Sequence, residues 1–451
     1  MKISKLLITT FMVFAGVIPY FAQNYQISFN GTGASTVVES VKVENLTQCN
    51  ELTISGSDIL NLCSSVGIND YTSETINPVQ IYPNPADGKC FIELISSLCG
   101  KITISIYDIS GKSIIYSEQF VSRDNHTFSL NGLGNGLFFI KIESENYSYT
   151  TKLISNYVSK NKTRAITIEP VSDTEKSFAE TNYIKNKSSK AIVNMQYNDG
   201  DLLKLTGKSG IYSTVYMLTP TESQTVTFTF IPCTDANGNN YSVVKIGDQW
   251  WMAENLNAGT YVPIATTQVA GTKFCMNING VEDPTCPMGG LYEWNILMQE
   301  STPCNGTGAP PNDRCSNPVK GLCPTGWHIP SHYEWTTLAR NSGTDFGALD
   351  YNSTLGVGVD EGGNLKMNCT TMWWDPNEGA TNSTGFSGIP GGDTWDGVFE
   401  DFGQSSYFWT SSAIFTYTYN PWVYALNYSV PFVGRSQYFK ENGFSCRCIK
   451  D

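Results

Sequence analysis

The sequence predicts a multidomain, mainly β protein, with small β-sandwich modules in its first half and one larger mixed domain after them. Three observations predict it. Through the first 230 residues, apolar side chains recur at every second position in short runs broken by Gly and Asn turns. The composition then changes, with all ten tryptophans and nine of the thirteen cysteines falling from residue 233 onward. That second half also carries a helix-start signature, which makes the larger domain α+β.

Taken in order, Lys2 and Lys5 precede the apolar run 6–19, and Ala22 offers a small residue for cleavage, so residues 1–22 read as a secretory signal peptide. The run is short for a membrane span, and no later stretch is long and apolar enough, so no transmembrane segment is expected after cleavage. The next cysteine is Cys49, too far on for a lipid anchor at the cleavage site. Thirteen cysteines in an exported chain predict disulfides, and the odd count leaves at least one without a partner in the chain. The net charge of −13 argues against nucleic acid as a partner, since that requires a basic surface.

Residues 23–78 form a β-rich module, with Tyr25, Ile27 and Phe29 two apart, then Val41 and Val43 beyond a Gly turn. Residues 79–155 alternate more strictly. Ile102, Ile104 and Ile106 are interleaved with Thr103 and Ser105, Asp108 to Gly111 forms a turn, and Phe138, Ile140 and Ile142 follow Gly136. Short strands with such turns predict a small sandwich. Residues 156–190 are polar and without sustained period, a linker. Residues 191–232 alternate again, ending in Val226, Phe228 and Phe230, a second small β module.

"YPNP" (82–85), "IYDISGK" (106–112) and "GLGNGLFFIKI" (132–142) resemble the type A sorting domain of the type IX secretion system of Bacteroidetes. The resemblance implies an immunoglobulin-like sandwich with the type IX export machinery as its partner. That domain normally closes a chain; here residues 156–451 follow it, so an active export signal and a retained spacer both stay open.

From Cys233 the larger domain, 233–451, begins. Asn237-Gly238 marks a hairpin turn. Asp235, Asn237 and Asn239 have the alternate spacing of a calcium loop. An EF-hand, however, needs Gly at its sixth position and Glu at its twelfth, where Asn240 and Ile246 stand here. His328 and His332 are four apart, a zinc-like spacing. Ser331 and Glu334 make a capping box, followed by the apolar face Trp335, Leu338, Ala339, so His332 opens a helix while His328 lies outside it, beyond Pro330. The two rings therefore share no helical face, and no metal site is expected. His328 is expected to pack at a strand end and His332 to face solvent.

The segments "DANGNNYSVVKIGDQWWMAENL" (235–256), "GGLYEWN" (289–295), "LCPTGWHIPSHYEWTTLA" (322–339), "PNEGATNSTGFSGIPGG" (376–392), "YFWTSS" (407–412) and "GFSCRCIKD" (443–451) resemble the Fibrobacter succinogenes major paralogous domain. The resemblance implies a C-type lectin-like fold, near that of formylglycine-generating enzymes, in an exported surface module with no established reaction. Cys446 stands where that family has an apolar residue and adds either a disulfide or the odd thiol. Cys233, Cys275, Cys323, Cys446 and Cys448 are expected to be structural, with their connectivity open.

Catalysis is not expected. The chain holds only His126, His328 and His332, and neither of the last two stands beside a Ser or Cys nucleophile motif. Cys446 and Cys448, two apart on one strand face, read as structural disulfides before thiol or copper chemistry. No motif singles out a pair of carboxylates for glycoside hydrolysis. Binding has more support. The stretch 372–403 is rich in Gly, Asn and Asp and carries Trp373, Trp374 and Trp395, with Asp375, Asn377, Asn382, Asp393 and Asp396 between them. Flat rings suit the C–H faces of a sugar, and amides or carboxylates suit its hydroxyls. The same oxygens could hold Ca2+. Trp395, in "GGDTWDG", is the first choice for an exposed ring. The sequence therefore points to an exported, non-catalytic surface binding or adhesion protein with an extracellular glycan or surface partner. A structural surface protein without a small ligand is the alternative, and a glycan-active or formylglycine-type enzyme comes third.

Overall fold

The computed structural model describes residues 24–64, 79–95, 100–121, 125–144, 148–157, 166–171, 191–305, 315, 317–344, 351, 358–414 and 420–451. The expected signal peptide, 1–22, and most of the 156–190 linker lie outside them. Among the described residues there are thirty strands and three helices, so the protein is mainly β. The chain divides into two compact units, residues 63–182 and residues 25–62 with 183–451.

The first unit is a two-sheet sandwich. One sheet runs Ser148–Ser155, Gly136–Glu143, Gly100–Asp108, Ser113–Val121, and the other Thr167–Pro170, Asn125–Asn131, Lys89–Ile95, Val79–Tyr82. The alternation read from the sequence is the reason: Ile104, Ile106, Ile140 and Ile142 turn inward and are fully buried against Ile92 and Leu94 of the facing sheet. Thr167–Pro170, within the stretch read as linker, is an edge strand that buries Ile168 in this core. A four-residue strand is too short for its period to show.

In the second unit, residues 25–62 and 191–232 share both of their sheets. Asn24–Gly33 pairs with Gln224–Phe230, Ile27 opposite Gln224, and Ser40–Asn45 pairs with Leu203–Ser209, Val43 opposite Leu205. Val41, Val43, Leu60 and Leu62 from the first stretch bury against Leu203, Leu205 and Phe228 from the second. Alternation shows that one face of a strand is buried, not which distant strand covers it. The sheet does not stop at residue 233. Tyr212–Leu218 pairs in parallel with Ser242–Ile246, Val215 opposite Val244, and the same sheet continues through Gln249–Met252 to Ile449–Lys450 and Trp327–His328. Val215 accordingly joins the core of Trp251, Trp335 and Phe386. The disulfide Cys49–Cys369 adds a covalent tie within the second unit, between the 25–62 stretch and the C-terminal part.

The helix His332–Ser342 starts as the sequence indicates. Ser331 Oγ accepts the Glu334 N–H, and Glu334 Oε2 accepts the Ser331 N–H at 2.7 Å. His332, expected to face solvent, is instead fully buried. It lies three residues before Trp335 and seven before Ala339, so the apolar stripe of the helix includes it. Its ring stacks on Trp422 at 4.3 Å; Nε2 donates to the Tyr351 carbonyl at 2.8 Å and Nδ1 accepts from the Tyr424 hydroxyl at 3.0 Å. Burial, with Arg435 nearby, pushes its pKa down to about 4, so the ring is neutral. His328 packs at its strand end as expected, 5% exposed, with its two nitrogens on Asp451 (2.7 Å) and Glu334 (2.9 Å). Burial alone would lower its pKa, but the two carboxylates outweigh burial and raise it.

The structural cysteines resolve into Cys275–Cys286, Cys304–Cys315 and Cys323–Cys448, besides Cys49–Cys369. Cys233 and Cys446 are buried thiols. Cys448 is in a disulfide as expected, and of the two readings left open for Cys446, a disulfide or the odd thiol, the structure has the thiol. The two do share a face, and the sulfurs of Cys323, Cys446 and Cys448 lie within 4.8 Å of one another, but Cys323 can bond only one of them. Burial raises both free thiols far above the usual range and leaves them unreactive.

Candidate functional site

The eight residues proposed from the sequence go to different fates. Trp373 is core: 3% exposed, with its indole N–H on the Gly388 carbonyl at 3.0 Å. The Lys366 ammonium lies over its ring and donates to the carbonyls of Glu378, Asn427 and Val430 at 2.7, 2.9 and 3.1 Å, clamping the surrounding loops. Asn382 is buried and spends its amide on Ser387, accepting its N–H at 2.9 Å and donating to its hydroxyl at 3.0 Å. Asn377 donates to the Met367 carbonyl. Asp375 is exposed. Trp374 is exposed but stands edge-on to Phe402 and Tyr428. Asp393 is buried, and burial, then Asp401 and Glu400, pushes its carboxyl up to about 7. Among the described residues, no three carboxylates converge to within 4.8 Å. The Asp235 loop is closed in its own way, its carboxylate accepting from the N–H groups of Asn237 and Asn239, the Asn239 amide and the Tyr241 hydroxyl. That donor set leaves no lone pair directed at a cation.

Trp395 and Asp396 differ from the rest, because the Gly-rich stretch around them is not a loop. Gly391–Trp395 and Val398–Phe402 are antiparallel strands, and Trp395 pairs with Val398 across the two-residue turn Asp396-Gly397. Both turn residues have positive φ, 47° and 76°, as the tight turn that suits twisted strands requires. The hairpin thus presents Trp395 at its tip, 41% exposed, stacked on Phe439 at 5.8 Å with 26° between the rings; Phe439 is itself 60% exposed. Phe439 opens the tight turn 439–442, where the Asn442 N–H donates to the Phe439 carbonyl.

Beside this pair is a cleft of about 400 Å³ lined by Thr266, Thr267, Phe274, Glu293, Thr394, Trp395, Asp396 and Glu441, among others. That volume falls in the range of small-molecule sites. Glu293 is set in place from behind, its N–H donating to the buried Gln268 side chain at 2.9 Å, while Gln268 donates to the Leu291 carbonyl at 2.8 Å. Partial burial, then the neighbouring Glu441, raises the Glu293 pKa. Sequence reasoning placed Trp395 and Asp396 but missed Glu293, Phe439 and Glu441. Glu293 lies inside "GGLYEWN" and Phe439 and Glu441 inside "QYFKENG", and only tertiary structure brings these two segments to the hairpin tip.

Two family descriptions match the chain: the Fibrobacter succinogenes major domain over residues 244–450 and the secretion system C-terminal sorting domain over residues 80–156. No curated protein matches it. The sorting domain coincides with the first sandwich and ties the chain to type IX secretion. No helix among the described residues is long and apolar enough to cross a membrane. The cleft at Trp395 therefore belongs to a Fibrobacter succinogenes major domain, carried by an exported cell-surface protein that also holds a secretion-system sorting domain.

Proposed function

We propose that this exported protein is a non-catalytic binding or adhesion protein whose C-terminal domain, of C-type lectin-like architecture, takes an extracellular saccharide in the cleft at Trp395. The observation that carries the reading is the exposed Trp395–Phe439 pair beside walls of hydroxyls and carboxylates. An isolated exposed aromatic is ordinary; here Trp395 lines the cleft and Phe439 backs its ring, an exposed apolar patch beside polar walls. Sugar C–H faces pack on such rings, while hydroxyls bond to Thr266, Thr267, Glu293 and Glu441. These contacts are direct and need no metal.

Both histidines of this domain are buried with both ring nitrogens engaged, which favours binding over acid–base chemistry. The Glu293–Glu441 pair is the feature that would favour hydrolysis instead. A glycan array probed with the mature chain, followed by product analysis of each bound glycan, tests the proposal. Binding without cleavage is expected. Cleavage that Glu293→Gln abolishes would assign an enzyme, and an array with no bound glycan would leave the structural-protein reading.

A further inference from the structure

We propose that the cleft selects a saccharide bearing a free, protonated amine; this rests on the saccharide reading above. Three carboxylates, those of Glu293, Asp396 and Glu441, line the cleft, and among the described residues no Lys or Arg lines it. Glu441 is close enough to Glu293 to add to burial in disfavouring the Glu293 charge. A neutral sugar leaves that repulsion in place and an acidic sugar adds to it, whereas an ammonium between the two relieves it. The Trp395 ring also favours a cation over its face. A second, independent observation points into the same space. Thr394 lines the cleft and is 3% exposed, yet its hydroxyl has no hydrogen-bond partner among the described residues. A bound sugar hydroxyl or amine would supply that partner.

The positions of the acids make the preference specific to this site. Glu293 is fixed by its backbone bond to buried Gln268, and Glu441 is carried on the same turn as Phe439, so both carboxylates line the cleft together with the Trp395 ring. Lys440, between them in sequence, is exposed and does not line the cleft.

Isothermal titration of the mature chain with chitosan tetraose and with its fully N-acetylated counterpart tests this, since the two differ in charge but not in backbone. At pH 6 and low salt the deacetylated tetramer should bind on the order of tenfold more tightly, as one ion pair in a partly sheltered site allows. Added salt should shrink the advantage. Glu441→Gln, an exposed substitution, should remove most of it, and Glu293→Gln should do the same. Equal affinity for the two tetramers overturns the amine proposal and leaves saccharide binding standing. So does a Trp395-dependent preference for a neutral or acidic glycan. Trp395-dependent binding of oligolysine with no saccharide bound would assign the cleft to a basic peptide and remove both readings.

Discussion

Replacing His332 by Leu tests the buried reading of the helix start, and its effect should change with pH. At pH 7 the substitution takes a donor from the Tyr351 carbonyl and a ring from the Trp422 stack. An unpaired buried carbonyl costs about 1–3 kcal/mol, and an aromatic stack is worth about 0.5–1.5 kcal/mol. The variant should therefore be less stable by about 2–4 kcal/mol, although Tyr424 keeps its bond to Thr336 at 2.7 Å. The pH dependence has the sign of a histidine whose pKa is lowered on folding. Between pH 6.5 and about 4 the unfolded chain binds a proton that the folded chain refuses, so the wild type loses stability as pH falls through that window. About 2.5 pH units at 1.36 kcal/mol per unit gives about 3 kcal/mol, a loss the Leu variant does not share. The gap between the two proteins should narrow by about that amount by pH 4. Urea unfolding followed by tryptophan fluorescence reads the right part of the chain, because all ten tryptophans lie beyond residue 233. A gap that is absent at pH 7, or unchanged at pH 4, would refute this account of His332.

Two further substitutions probe the same domain. Cys448→Ser, which opens a bridge spanning 125 residues, should lower stability by about 3–5 kcal/mol unless Cys446 takes over its partner, whereas Cys446→Ser should change it little; unfolding curves and thiol counts under denaturing conditions distinguish the cases. Ser331→Ala should cost about 1 kcal/mol in the same assay by removing the cap on the Glu334 N–H, and an unchanged midpoint would mean the helix start is held by packing alone.

Much of the fold follows from patterns visible in the chain. The sandwich at 79–155 is written in its isoleucines, which alternate over long enough runs to fix both strand and face, and the capping box at Ser331 is a local device complete within four residues. The partnership of 24–64 with 191–230 is not local. Each stretch shows an apolar face, and only folding shows that Val43 pairs with Leu205, more than 150 residues further along the chain. His332 was legible, since its spacing to Trp335 and Ala339 puts it on the buried stripe, but the habit of treating a first-turn polar residue as exposed hides it. At the candidate site the hairpin tip could be read from Trp395-Asp396-Gly397. Its partners could not, because Phe439 and Glu441 come from a turn more than forty residues away that carries no binding signature of its own.

The central claim, that the Trp395 platform binds a saccharide, is tested most directly by calorimetric titration of a glycan identified on the array into the mature wild-type chain and into Trp395→Ala. The ring is half exposed at a hairpin tip, so the variant should keep its melting midpoint. Truncating a stacking tryptophan should weaken binding by about 1–3 kcal/mol, roughly 5- to 150-fold. A Trp395→Ala chain that melts like the wild type and binds the same glycan with the same affinity would contradict the account and move the binding surface away from this cleft.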